Sequence, residues 1–81
     1  MSGAIYWKDM IKTLDIASIN KELVNVEAWA NDGSIIRYNG WEVIGRYWKG
    51  NIHKLKNPVN GQIRAVKDIF IFKINGNTVY L

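Results

Sequence analysis

The sequence predicts a mainly β domain of α+β class: an N-terminal helix followed by a small curled antiparallel sheet, or an SH3-like or OB-like barrel, of five to six strands. Three observations predict it. Apolar residues follow a 3.6-residue period only near the start of the chain, they alternate with polar residues from Leu23 onward, and turn residues then recur about every eight to twelve positions. At 81 residues there is room for one core. A single domain over 1–81 is therefore expected, with residues 1–20 forming the helix and its connection and 21–81 the sheet or barrel.

Trp7, Met10, Ile11, Leu14 and Ala17 share one helical face, while Lys8, Lys12 and Asp15 point elsewhere. The run Ala17-Ser18-Ile19-Asn20 loses this spacing, which places the expected helix end near Asp15 or Ala17. A stripe of this kind can also lie on a membrane surface. Two Lys against two Asp give it no cationic face, so packing on a sheet is the favoured reading.

In the first strand, Val24, Val26, Ala28 and Ala30 alternate with Asn25, Glu27 and Trp29. Asn31-Asp32-Gly33 reverses the chain into Ser34–Asn39, and Asn39-Gly40 is read as a second turn before a strand from Trp41 to Trp48. Gly45 within that strand suggests a bulge or bend. Lys49-Gly50-Asn51 is a third turn, Ile52–Leu55 a short strand, and Asn57-Pro58-Val59-Asn60-Gly61 the clearest loop. Gln62–Val66 and Asp68–Ile74 read as strands, the latter central because Ile69 to Phe72 are apolar on both faces. Asn75-Gly76 is the strongest hairpin signal and returns the chain as Thr78–Leu81.

Charge is distributed unevenly. Residues 1–45 sum to −2 and residues 46–81 to +6, and between Glu42 and Asp68 there are six cations and no acid. Arg46, Trp48, Lys49, Lys54, Lys56, Arg64 and Lys67 are accordingly the candidate binding residues for nucleic acid or an acidic partner. Ammonium and guanidinium groups displace phosphate counterions, and rings between them offer stacking faces. In the plainer reading Tyr47 is a core residue, Trp48 packs against the helix and the lysines keep an edge strand soluble. Trp29 lies opposite the apolar face of its strand, so Trp29 and Trp48 are the candidate protein-contact residues.

No arrangement for catalysis is visible. The single histidine, His53, alternates with Lys54 on a short basic strand and is expected at the surface or rim; the three serines lie outside any nucleophile-elbow motif. The chain has no Cys, its carboxylates are scattered, and its seven glycines are isolated turn residues instead of a phosphate-binding run. A non-enzyme with no cofactor, metal or small-molecule substrate is therefore expected. No apolar stretch approaches the roughly 20 residues that cross a bilayer, and the opening residues lack a secretory pattern, so no membrane association is expected.

From about Asn20 to Leu81 the chain resembles small proteins carried by phages and prophages of Bacteroidota. Asp32-Gly33-Ser34-Ile35-Ile36, the Asn57-Pro58 loop leading to Gln62-Ile63-Arg64, and Ile74-Asn75-Gly76-Asn77-Thr78-Val79-Tyr80 carry the resemblance. It implies a mobile-element origin, with the protein in a bacterial host's cytoplasm or on a virion, and assigns no activity. The functional expectation is a non-catalytic interaction module, either a small structural or accessory subunit or an inhibitor of a host complex. It would bind a protein partner or associate with itself. The alternative is a sequence-tolerant nucleic-acid binder using segment 46–67.

Overall fold

The computed structural model describes residues 3–46 and 50–81. One helix, α1 (Trp7–Asn20), follows a short strand β1 (Ala4–Tyr6). Beyond it come β2 (Leu23–Trp29), β3 (Ile35–Arg46), β4 (Ile52–Lys56), β5 (Ile63–Lys67), a 3₁₀ turn (Asp68–Phe70), β6 (Ile71–Ile74) and β7 (Asn77–Tyr80). Among the described residues they form one mixed sheet in the order β1-β7-β6-β2-β3-β4-β5. All pairings are antiparallel except β1 with β7, where Ile5 sits opposite Val79. The mainly β, α+β class with one N-terminal helix is as expected, but the sheet has seven strands and one parallel pair where five to six antiparallel strands were expected, because β1 adds beside β7. Barrel closure is not made, because β5 and β1 remain the two ends of the strand order.

The core lies between α1 and the inner face of the sheet. Met10, Leu14 and Ala17 meet Val24, Val26 and Ala28 of β2, Tyr38 and Val43 of β3, Leu55 of β4, Val66 of β5 and Ile71 and Ile74 of β6. The helix outlasts its apolar stripe: it continues one turn past the expected end, exposing Ile16 and Ile19, and stops where Lys21 turns left-handed at φ 56°. The N–H groups of Lys21 and Glu22 both reach the Ala17 carbonyl there, satisfying the acceptor that an unfinished helix leaves open.

Three sequence expectations change. Asn39-Gly40 does not turn the chain; β3 runs through it and Gly40, at φ 68°, is the extra residue of a bulge opposite β2. The Asn25 side-chain oxygen accepts the Gly40 N–H at 2.8 Å, fixing that bulge locally. Asp68–Phe70 is a 3₁₀ turn and not the start of a strand, and β1 was invisible because three residues show no period. The Gly45 bulge and the Asn75-Gly76 hairpin occur as expected, the former as a register shift between Val43 and Gly45 and the latter with φ of 48° and 83°.

Candidate interaction groove and a buried histidine network

His53 is not at the rim. Alternation along β4 sends His53 and Leu55 inward, and His53 is 1% exposed. It sits opposite Arg46 on β3 and Val66 on β5, and two further elements reach it. Nδ1 lies 2.5 Å from Asp68 Oδ1 in the 3₁₀ turn, and Nε2 lies 2.9 Å from Asp15 Oδ1 on α1. The other oxygen of Asp15 accepts a hydrogen bond from the Arg46 guanidinium. An ionised carboxylate only accepts hydrogen bonds, so two carboxylates on one imidazole require both ring nitrogens to donate, which is the imidazolium form. Burial, the largest single influence, pushes the His53 pKa down. The hydrogen bonds and charges of Asp68 and Asp15 together outweigh it and hold the pKa above the ordinary 6.5.

The four charges of Asp15, Arg46, His53 and Asp68 cancel, which is how a buried cation is tolerated. Chemically, the arrangement fastens rather than reacts. Both imidazole nitrogens are occupied and the ring is enclosed, so no nitrogen is left to take a proton from a substrate. Sequence reasoning assigned the alternation of His53 and Lys54 correctly but chose the wrong side as buried. The available signal was Leu55, which shares the parity of His53 and is the largest apolar residue on that side of the strand.

The basic residues divide by parity. Lys54, Lys56 and Lys67 lie on the outer face, since Lys54 is opposite Ala65, Lys56 opposite Ile63 and Lys67 opposite Ile52. Arg64 is opposite Leu55 and so shares the inner side. Arg46 is engaged by Asp15. Tyr47, Trp48 and Lys49 lie outside the described residues.

Curling of the sheet places β5 across from the β2–β3 hairpin and leaves a groove of about 280 Å³ between them. Trp29, Ile36 and Tyr38 line one side, Arg64, Ala65 and Lys67 the other, and Phe70 is also part of the lining. Trp29, Arg64 and Lys67, proposed separately from sequence, therefore line the same groove. Trp29 is 46% exposed and braced by Phe72 with ring centroids 5.1 Å apart. Burial raises the Tyr38 pKa while the positive charge of Arg64 draws it back. The Lys67 ammonium lies 5.6 Å from the Phe70 ring centre.

A larger cleft of about 440 Å³ opens at another place, where Trp7, Ile52, Ile69, Ile71, Val79 and Leu81 converge. Ile69 is 74% exposed and Leu81 86%. Sequence reasoning missed it because Ile69 was assigned to a central strand, whereas the 3₁₀ turn points it outward. Among the described residues no group of three or more His, Asp or Glu is placed to hold a metal ion, and no helix is long and apolar enough to cross a membrane. Comparisons with protein-family models, with curated proteins and with solved structures find no match.

Proposed function

We propose that the protein is a non-catalytic interaction module, a small accessory or inhibitory subunit that docks a protein partner at the β5 edge and the groove beside it. One observation carries this reading: β5 ends the sheet with Ile63, Arg64, Ala65 and Lys67 exposed, directly beside the groove that holds Trp29. An unpaired edge offers main-chain donors and acceptors, and Trp and Arg are the side chains that most often dominate protein interfaces. The enclosed His53 network supports a non-catalytic role, since its only imidazole is consumed in joining α1 to the sheet and the 3₁₀ turn. A photo-crosslinking residue at Ala65, compared with one at Asn60 in the β4–β5 loop, tests the reading in cells. A discrete protein adduct from position 65 alone is expected; equal labelling from both positions counts against it.

A second reading, nucleic-acid binding, draws on the common outward parity of Lys54, Lys56 and Lys67. It predicts nuclease-sensitive adducts in the same experiment. Its binding would weaken steeply with salt, each lost phosphate contact lowering the log–log slope by about 0.7 to 0.9.

A further inference from the structure

We infer that the occupant of the β5 edge is an extended acidic segment of the partner, added to the sheet as a further strand and reading acidic-apolar-any-acidic along its length. The inference rests on the interaction reading above and names the chemistry of the partner. Alternate residues of an edge strand point N–H and C=O outward, so a partner strand binds through its backbone whatever its side chains. Side-chain selection then follows from register. In an antiparallel addition, consecutive partner residues face Lys67, Val66, Ala65 and Arg64. Lys67 and Arg64 each favour a carboxylate opposite. Val66 turns inward, so the residue facing it is directed into the groove with Ile36 and Phe70 and is apolar.

Charge decides between occupants. Neither Arg64 nor Lys67 is joined to a carboxylate among the described residues, and β5 itself carries no acid. Pairing β5 with β5 of a second copy would bring two Arg64 and two Lys67 to one seam, which disfavours self-association. An acidic strand meets the same charges with opposite sign.

The test uses the full chain and a capped peptide containing Glu-Val-Thr-Glu, titrated to millimolar concentration with backbone amide resonances followed by NMR. Shifts centred on Ile63–Lys67 are expected, with at least a tenfold loss of affinity when alternate peptide nitrogens are methylated. A comparable loss is expected for the Arg64→Glu/Lys67→Glu chain, whose fold is checked by circular dichroism. The methylated peptide leaves the protein unaltered, so its result stands even if the double variant folds poorly. No shift at millimolar peptide, or equal affinity for the methylated form, overturns strand addition. Binding that maps instead to the Trp7–Leu81 cleft overturns both strand addition and docking at the β5 edge, whereas absent peptide shifts together with a protein adduct from position 65 overturn strand addition alone. Tighter binding of a thymidine oligonucleotide at the same residues overturns both.

Discussion

His53 Nδ1 lies 2.5 Å from Asp68 Oδ1, a hydrogen bond between two side chains that are 1% and 5% exposed. It joins β4 to the 3₁₀ turn, and the Asp68 backbone N–H closes the same corner on the Asn51 carbonyl at 2.8 Å. Removing one partner strands a buried charge. Asp68→Ala is therefore expected to destabilise the fold by about 3 to 5 kcal/mol, whereas replacing both residues by apolar ones of similar volume, His53→Leu with Asp68→Leu, recovers much of that loss. Urea denaturation of the single and double variants checks this. A double variant as unstable as the sum of the singles would show the network to be a set of independent contacts.

The same pair gives stability a definite pH dependence. The folded His53 pKa is above the unfolded value near 6.5. Below pH 6.5 both states hold the proton and the stabilisation is complete; above it the unfolded chain releases the proton first, so the folded state binds more protons and stability falls as pH rises through the folded pKa. The decline has a limit of about 1.4 kcal/mol per pH unit for one group. Urea midpoints measured from pH 5.5 to 9 should be highest at the acid end of that range. His53→Gln should remove most of the slope. An His53 ring signal that titrates below 6.5 in the folded protein would exclude the imidazolium assignment.

Local patterns were legible where one residue decides the local geometry, and illegible where distant segments decide it. Asn75-Gly76 and Gly45 needed nothing beyond their own backbone freedom. Gly40 carried the same local signal but was overruled, because Val24 and Asn25 on β2 keep pairing across it and the Asn25 side chain satisfies its N–H. The partners of His53 lie 38 residues before it and 15 after it, in a helix and a turn whose approach no short-range spacing records. Trp29, Arg64 and Lys67 were each identifiable by residue type. Their meeting depends on the curl of the sheet, which three register shifts accompany, between Val24 and Asn25, between Glu27 and Ala28, and between Val43 and Gly45.

The Gly40 bulge yields a separate prediction. With φ at 68°, a side chain at this position meets backbone strain, although there is open space around the site. Gly40→Ala is expected to cost about 1 to 2 kcal/mol through that strain alone. Asn25→Ala should cost about 1 kcal/mol by leaving the Gly40 N–H without its protein acceptor. Combined, the two losses should fall short of their sum because they act on one bulge, and thermal unfolding of the three variants measures the shortfall.

Arg46 and Arg64 stand on neighbouring stretches of the basic segment yet are expected to fail in different assays. Arg46 is held by Asp15, which also bonds His53, so Arg46→Ala loosens the network and lowers stability by about 1 kcal/mol, discounted for the partial exposure of both side chains. Arg64 is exposed on the edge strand and, among the described residues, has no carboxylate partner, so Arg64→Ala should leave the urea midpoint within about 0.5 kcal/mol of the parent. In binding the order reverses: Arg64→Ala weakens the acidic peptide, while Arg46→Ala leaves its affinity unchanged at temperatures where both chains are folded. Equal binding losses from the two substitutions would mean that the partner reads the net charge of the segment and not the β5 edge, because only Arg64 of the two lines the groove.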